Sequence, residues 1–148
     1  IVKYPKKEEE RQIIRMNNSG EFPTVNPVIK PEDIVRARSV VRDVYMDEKI
    51  ERYIVDIVYA TRTPDDYGLG KIKDLISFGA SPRASISLSM ASKAYAFIKR
   101  RGYVIPEDVR AVCNEVLRHR SGLTYEAEAE NVTTEQIIAE VISAVQVP

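Results

Sequence analysis

Residues 78–84 read Phe-Gly-Ala-Ser-Pro-Arg-Ala and open the longest segment of apolar residues at helical spacing in the chain. Ser81 can cap a helix through its hydroxyl, and Pro82 suits the first helical position because no N–H is needed there. Gly79 permits backbone angles that a β-carbon forbids. Arg83 then falls in the first turn, where the helix dipole disfavours a cation unless an anion comes to meet it. The stretch predicts a helix whose start either faces an anion or carries an ordinary solvated arginine.

The helix that begins here is predicted to run from Ser81 to about Arg101 and to be central in the fold. It carries two apolar stripes, so we expect it to be packed on two sides. Gly102 is expected to end it in a left-handed conformation. The first stripe is Ala84, Leu88, Ala91, Tyr95 and Ile98, and the second is Ile86, Met90, Ala94 and Phe97.

The whole chain is predicted to be mainly α-helical, a helical bundle of about six helices with short extended pieces. Residues 65–77 are expected to form a long loop, and residues 123–130 a short edge strand or extended loop. The helices are predicted to start at or next to Lys6, Pro31, Asp47, Ser81, Pro106 and Thr133.

Composition narrows the function classes. The 148 residues include 22 Lys and Arg against 22 Asp and Glu, so no overall charge points to nucleic acid or membrane. Locally, residues 81–120 carry a net charge of +5 and residues 121–148 a net charge of −5. Cys113 is the single cysteine, which fits a reducing compartment, and no apolar run is long enough to span a bilayer. We therefore expect a cytoplasmic protein, and the start at Ile1 suggests a piece of a longer one.

No self-contained catalytic set is found in the sequence. Gly70-Lys71 lacks the remaining residues of a phosphate-binding loop, and His119 with Cys113 cannot build a zinc site. The alternating acids Glu126, Glu128 and Glu130 are more typical of a solvated edge than of a metal site. The basic run 99–101 has no interleaved aromatic residues, so we do not expect nucleic acid as a partner. We expect no metal site and no cofactor in this chain by itself.

Several segments together resemble one family. The hexapeptide at 79–84 is similar to the signature that opens the sensor-2 helix in the lid domain of MoxR-type AAA+ ATPases. Two small departures are Ser121, where an aliphatic residue is more usual, and Asn131, where glycine is usual. Residues 1–5 resemble the last strand of the ATPase core. The other matching segments are 53–56 (YIVD), 60–62 (ATR), 103–109 (YVIPEDV), 116–120 (VLRHR) and 125–130 (YEAEAE).

The resemblance implies a division at residue 5, with 1–5 belonging to an AAA+ core outside this chain and 6–148 forming the helical lid. It implies that Arg83 is the sensor-2 arginine facing the γ-phosphate of ATP, with Gly79, Ala80, Ser81 and Pro82 next to the nucleotide. The parent protein would bind ATP and Mg²⁺ through Walker motifs upstream, which this chain lacks, so the chain alone is expected to be inactive.

The implied partners are the ATPase core of the same chain, the neighbouring subunits of a hexameric ring, and a client complex that the ATPase helps to assemble or activate. Two other function classes stay open at this point. One is a stand-alone helical module that binds a protein, and the other is the lid of a magnesium-chelatase-type or DNA-associated motor. A Walker A motif upstream of Ile1 would favour the MoxR-type lid over a stand-alone module. Salt-dependent DNA binding would favour a DNA-associated motor.

Overall fold

The computed structural model describes residues 4–20 and 22–148. Most of them are helical, as predicted, and they form two compact units, Ile1–Ile34 and Val35–Pro148. The segment 1–5, which resembles the last strand of an ATPase core, lies mostly outside the described residues. The elements, in chain order, are α1 (Lys7–Ser19), α2 (Pro31–Asp43), α3 (Glu48–Ala60), a 3₁₀ helix (Pro64–Tyr67), α4 (Gly70–Lys73), β1 (Ile76–Phe78), α5 (Pro82–Ile98), α6 (Pro106–Leu117), β2 (Gly122–Leu123), α7 (Tyr125–Ala129) and α8 (Thr134–Ala144).

The first unit contains α1 and the start of α2. Helix α1 begins where the Glu9 carboxylate accepts a hydrogen bond from Lys6 N–H at 2.7 Å, and it ends at Gly20 in the left-handed conformation. None of its residues is buried, and Ile13 and Ile14 are about half exposed. Helix α2 begins at Pro31, as predicted.

The second unit has its core among α3, α5, α6 and α8. Local capping signals start two of these helices as predicted: Asp47 accepts a hydrogen bond from Lys49 N–H at 2.9 Å, and Thr133 forms a capping box with Gln136. The largest fully buried apolar side chains, taken from all four helices, are Tyr53, Ile54, Ile57, Val58, Leu88, Val109, Leu117, Ile137, Ile138 and Val141.

Two further links tie this core together. The segment before α3 pairs with the segment before α6, where Tyr45 N–H donates to Gly102 carbonyl at 2.9 Å and Val104 N–H donates to Tyr45 carbonyl at 3.0 Å. The Asp108 carboxylate is buried and accepts hydrogen bonds from both terminal nitrogens of Arg101. The first link joins the segments before α3 and α6, and the second joins the α5–α6 connection to α6.

Residues 65–77 are not a long loop, so that prediction is wrong. They contain most of the 3₁₀ helix, then α4 and most of β1, because Leu69 and Ile72 are buried in the core at 7% and 6% exposure. Tyr67 donates a hydrogen bond to Asp56 at 2.9 Å, which joins the 3₁₀ helix to α3. Burial and this hydrogen bond raise the pKa of Tyr67 to about 12.

Residues 123–130 also differ from the prediction. Only Leu123 is in a strand, in β2, which pairs antiparallel with β1; α7 then spans Tyr125–Ala129. Thr124 caps this one-turn helix, and Ala127 is fully buried. A helix of one turn is too short to show a 3.6-residue period in its sequence. The alternating glutamates at 126, 128 and 130 therefore gave this segment the two-residue period of a strand.

The end of α5 is formed by a different residue from the one predicted. The helix stops at Ile98, and Arg100 adopts the left-handed conformation with φ of 59°, whereas Gly102 does not. Within the described residues, no helix is both long and apolar enough to cross a membrane.

Candidate functional site

The candidate site is the turn between β1 and α5. Phe78 ends β1, and α5 begins at Pro82, which occupies the first helical position as predicted. Ser81 is at the N-cap position with extended backbone angles, but its side chain accepts no capping hydrogen bond. The predicted capping by the Ser81 hydroxyl is therefore wrong, and other contacts must hold the start of this helix.

Gly79 is needed in the turn for a reason that differs from the predicted one. Its φ is not in the left-handed region. A β-carbon at this position would instead lie 2.3 Å from the carbonyl oxygen of Thr61 and 2.7 Å from Cγ of Arg62. The turn passes so close to the end of α3 that only glycine fits without a backbone shift.

Ala80 is held by Thr61 as well, the residue that directly follows α3. Its N–H donates to Thr61 Oγ1 at 2.9 Å, and Thr61 Oγ1 donates to the Val58 carbonyl at 2.7 Å. Ala80 is fully buried and Thr61 is 2% exposed. Thr61 belongs to the matching segment 60–62, but its sequence context gave it no role, because a side chain 19 positions away from its partner carries no local signal.

Arg83 lies in the first turn of α5 with its side chain exposed. Within residues 4–20 and 22–148 it has no hydrogen bond or ion pair, and the first turn of α5 contains no acidic residue. Its neighbour Ala84 is fully buried, so the helix start is anchored while the guanidinium points away from the core. A free cation at the positive end of a helix dipole suits an incoming anion.

The second apolar stripe of α5 is exposed, which contradicts the prediction that both stripes are packed. The buried face of the helix is Ala84, Leu88, Ser92 and Ala96. Ile86 and Met90 are each 61% exposed, and Phe97 is 36% exposed. Positions 83, 86, 90 and 97 recur at helical spacing, so Arg83 stands at the end of this exposed apolar face.

A pocket of about 640 Å³ adjoins Gly79 between the end of α3 and β1. Its lining combines Arg62 and Lys73 with three carboxylates at positions 65, 66 and 74. Lys73 is paired with Asp65 at 2.5 Å, and the guanidinium of Arg62 lies over the ring of Tyr59 at 4.1 Å from its centroid. With more acidic than basic groups, the pocket does not have the charge of a phosphate cradle.

Cys113, His119 and the acidic side chains are the remaining groups that could carry chemistry. Burial raises the pKa of the Cys113 thiol to about 12, so this cysteine stays a protonated core residue. His119 is exposed just beyond the end of α6. Among the described residues, no group of three or more His, Cys, Asp or Glu side chains could hold a metal ion.

Comparison with known proteins identifies the domain. Residues 71–141 match the family model of the AAA lid domain. The chain carries an AAA lid domain of the MoxR type. It is 38% identical over 99% of its length to the chaperone MoxR1 of Mycobacterium tuberculosis, and 37% identical over 98% of its length to YeaC of Bacillus subtilis. It spans 39% and 43% of those two proteins.

A solved structure shows the same fold. A protein of Cytophaga hutchinsonii assigned as an ATPase superposes with a TM-score of 0.91 at 38% identity, over 99% of this chain and 45% of that one. The lid therefore corresponds to somewhat less than half of the related proteins.

Proposed function

We propose that the lid senses ATP in a longer MoxR-type ATPase, with Arg83 facing the γ-phosphate of a nucleotide bound by the ATPase core. Gly79, Ala80, Ser81 and Pro82 would then lie next to the nucleotide. ATP with Mg²⁺ would be the cofactor of the longer protein, and the lid alone would not hydrolyse it.

The free guanidinium of Arg83 at the start of α5 is the observation that carries this proposal. The side chain is exposed, has no partner among the described residues, and belongs to a helix turn without acids. Negative charge develops on the transferred phosphoryl group during hydrolysis, so a guanidinium aimed at it stabilises the transition state more than the ground state. Arg83 would contribute in this way while the chemistry of phosphoryl transfer proceeds in the core.

The described residues fit only part of a nucleotide site. They supply a cation and backbone N–H groups at a helix start, which suit phosphate oxygens. They contain no group of acidic side chains able to hold a metal, and no phosphate-binding loop was found in the sequence. We therefore assign the magnesium ligands and the phosphate cradle to the ATPase core.

The exposed apolar face of α5 supports the proposed partners. Ile86 and Met90 stand on the side of the helix that carries Arg83, so a core that brings phosphate to Arg83 would also approach these side chains. We propose the same face for contact within a ring, expected to be a hexamer. One relative is named a chaperone, and we propose that the parent of this lid similarly helps partner complexes to assemble or become active. The cytoplasmic location stays a prediction.

The test is ATP turnover by the full-length protein with Arg83→Ala. We expect turnover to fall by at least ~10²-fold, which corresponds to about 2.7 kcal/mol, while ATP affinity falls less. Arg83→Lys should not restore it fully, because an ammonium group lacks the planar fork of a guanidinium. The melting temperature should hardly change, since the Arg83 side chain is exposed.

Arg52→Ala is the matched control. Arg52 is an exposed arginine on α3 whose ion pair is to Glu48 one turn away, so its loss should leave turnover near that of the unmodified protein. Near-normal turnover in correctly assembled Arg83→Ala protein would contradict the proposed function.

A further inference from the structure

We propose that Thr61 is a positioning residue for Arg83, which sets where the start of α5 stands and hence where the guanidinium points. This inference rests on the proposed function of Arg83 and assigns a second residue to it. It begins from the contacts between the end of α3 and the turn before α5, since Thr61 touches that turn in two ways.

The hydroxyl of Thr61 makes the first contact. Oγ1 accepts from Ala80 N–H at 2.9 Å and donates to the Val58 carbonyl at 2.7 Å, so its direction is fixed by two partners. All three groups lie in a region where Thr61 is 2% exposed and Ala80 is fully buried. Water cannot replace this hydrogen bond without opening the core, so the N–H of Ala80 is bound firmly to α3.

The carbonyl of Thr61 makes the second contact. It occupies the space where a β-carbon of residue 79 would be, at 2.3 Å. The turn is thus pressed against Thr61 at Gly79 and hydrogen-bonded to it at Ala80. Two consecutive backbone positions are therefore fixed by Thr61, the residue that caps the end of α3.

The start of α5 has little else to fix it. Ser81 makes no side-chain capping bond, and the first turn contains no acid that could pair with Arg83. The anchors near Arg83 are therefore Ala80 on one side and Ala84, fully buried, on the other. Because the carbon skeleton of Arg83 begins between these anchors, a shift of Ala80 relative to α3 changes the point from which the guanidinium reaches out.

The experiment measures ATP turnover of the full-length protein carrying Thr61→Val, alone and together with Arg83→Ala. Valine keeps the shape of threonine and removes the hydroxyl. We expect kcat to fall by ~10-fold to ~100-fold with KM for ATP little changed, since misplacement by about 1 Å can cost that much. In the Arg83→Ala background we expect Thr61→Val to have no further effect, because Thr61 acts through Arg83.

Two variants serve as controls. Thr61→Ser keeps the hydroxyl and should restore most of the turnover. Ser92→Ala removes another fully buried hydroxyl of α5, which bonds to the Leu88 carbonyl at 2.8 Å far from the helix start. It should lower the melting temperature somewhat and leave turnover unchanged. If Thr61→Val does not fold, Thr61→Ala takes its place, because the space it leaves can admit water to Ala80 N–H.

The outcomes separate this inference from the proposed function. If Arg83→Ala abolishes turnover and Thr61→Val does not reduce it, the positioning role is wrong and the function of Arg83 stands. The same holds if Thr61→Val reduces turnover equally with and without Arg83, since it then acts by another route. If Arg83→Ala turns over normally, the proposed function is wrong and the role of Thr61 falls with it.

Discussion

Replacing Gly79 with alanine tests the contact on which the candidate site depends. The added β-carbon would lie 2.3 Å from the Thr61 carbonyl oxygen and 2.6 Å from its carbonyl carbon, whereas ordinary contacts of this kind begin at 3.4 Å. The turn must therefore move away from α3 by about 1 Å. That movement also lengthens the hydrogen bond from Ala80 N–H to Thr61 Oγ1, now 2.9 Å.

The expected loss of stability follows from these contacts. Forcing an extra carbon into a packed site costs about 1–3 kcal/mol, and losing the buried hydrogen bond costs about 1 kcal/mol more. The lower entropy of alanine in the unfolded chain returns about 0.4–1 kcal/mol. The net loss in the free energy of unfolding is about 2 kcal/mol, or a fall in melting temperature of about 6 °C for a chain of this size.

Gly102→Ala is the matched control for this substitution. Gly102 is exposed, its φ is not in the left-handed region, and no atom lies within 4 Å of an added β-carbon. Its stability should change by at most about 0.5 kcal/mol. Thermal unfolding followed by circular dichroism compares the two variants with the unmodified chain. A Gly79→Ala melting temperature within 2 °C of that of Gly102→Ala would refute the reasoning.

Two further predictions concern the core and the exposed face of α5. Burial alone raises the pKa of Asp108, but the hydrogen bonds from Arg101 and the Ile105 N–H outweigh it and hold the pKa below its usual range. Because the pKa of Asp108 is lower in the folded than in the unfolded protein, the ionised carboxylate stabilises the folded state at pH values above its unfolded pKa of about 4. Asp108→Asn should therefore lower the free energy of unfolding by about 2 kcal/mol near neutral pH. Chemical denaturation at several pH values should show that this difference shrinks as the pH falls through the folded pKa of Asp108. A difference that does not depend on pH would contradict the lowered pKa of Asp108. The double variant Ile86→Ser, Met90→Ser should leave the melting temperature unchanged, because both side chains are 61% exposed. It should weaken ring assembly of the full-length protein, measured by analytical ultracentrifugation. Unaltered assembly would rule out this face of α5 as a contact between subunits.

Local signals in the sequence determined where several helices start. Asp47, Pro106 and Thr133 open α3, α6 and α8 because capping and the proline geometry act within a few residues of the chain. Arg83 also became a candidate from the sequence, through its place after a proline at a predicted helix start and through the resemblance of residues 79–84 to the sensor-2 signature. Its role remains a proposal, and the mainly helical lid fold is confirmed.

Contacts between distant segments decided the rest. The sequence of residues 65–77 is typical of a loop, but Leu69 and Ile72 are buried in the core and the segment forms short helices and a strand. The second apolar stripe of α5 is typical of a buried face, but the helix packs through Ala84, Leu88, Ser92 and Ala96 instead. Gly79 was singled out for its backbone freedom, yet what requires it is the Thr61 carbonyl, 18 positions away in the chain. Capping and turn preferences act within a few residues, whereas exclusion by a neighbouring backbone exists only after the helices have packed, so only the tertiary structure reveals how Thr61 holds the start of α5.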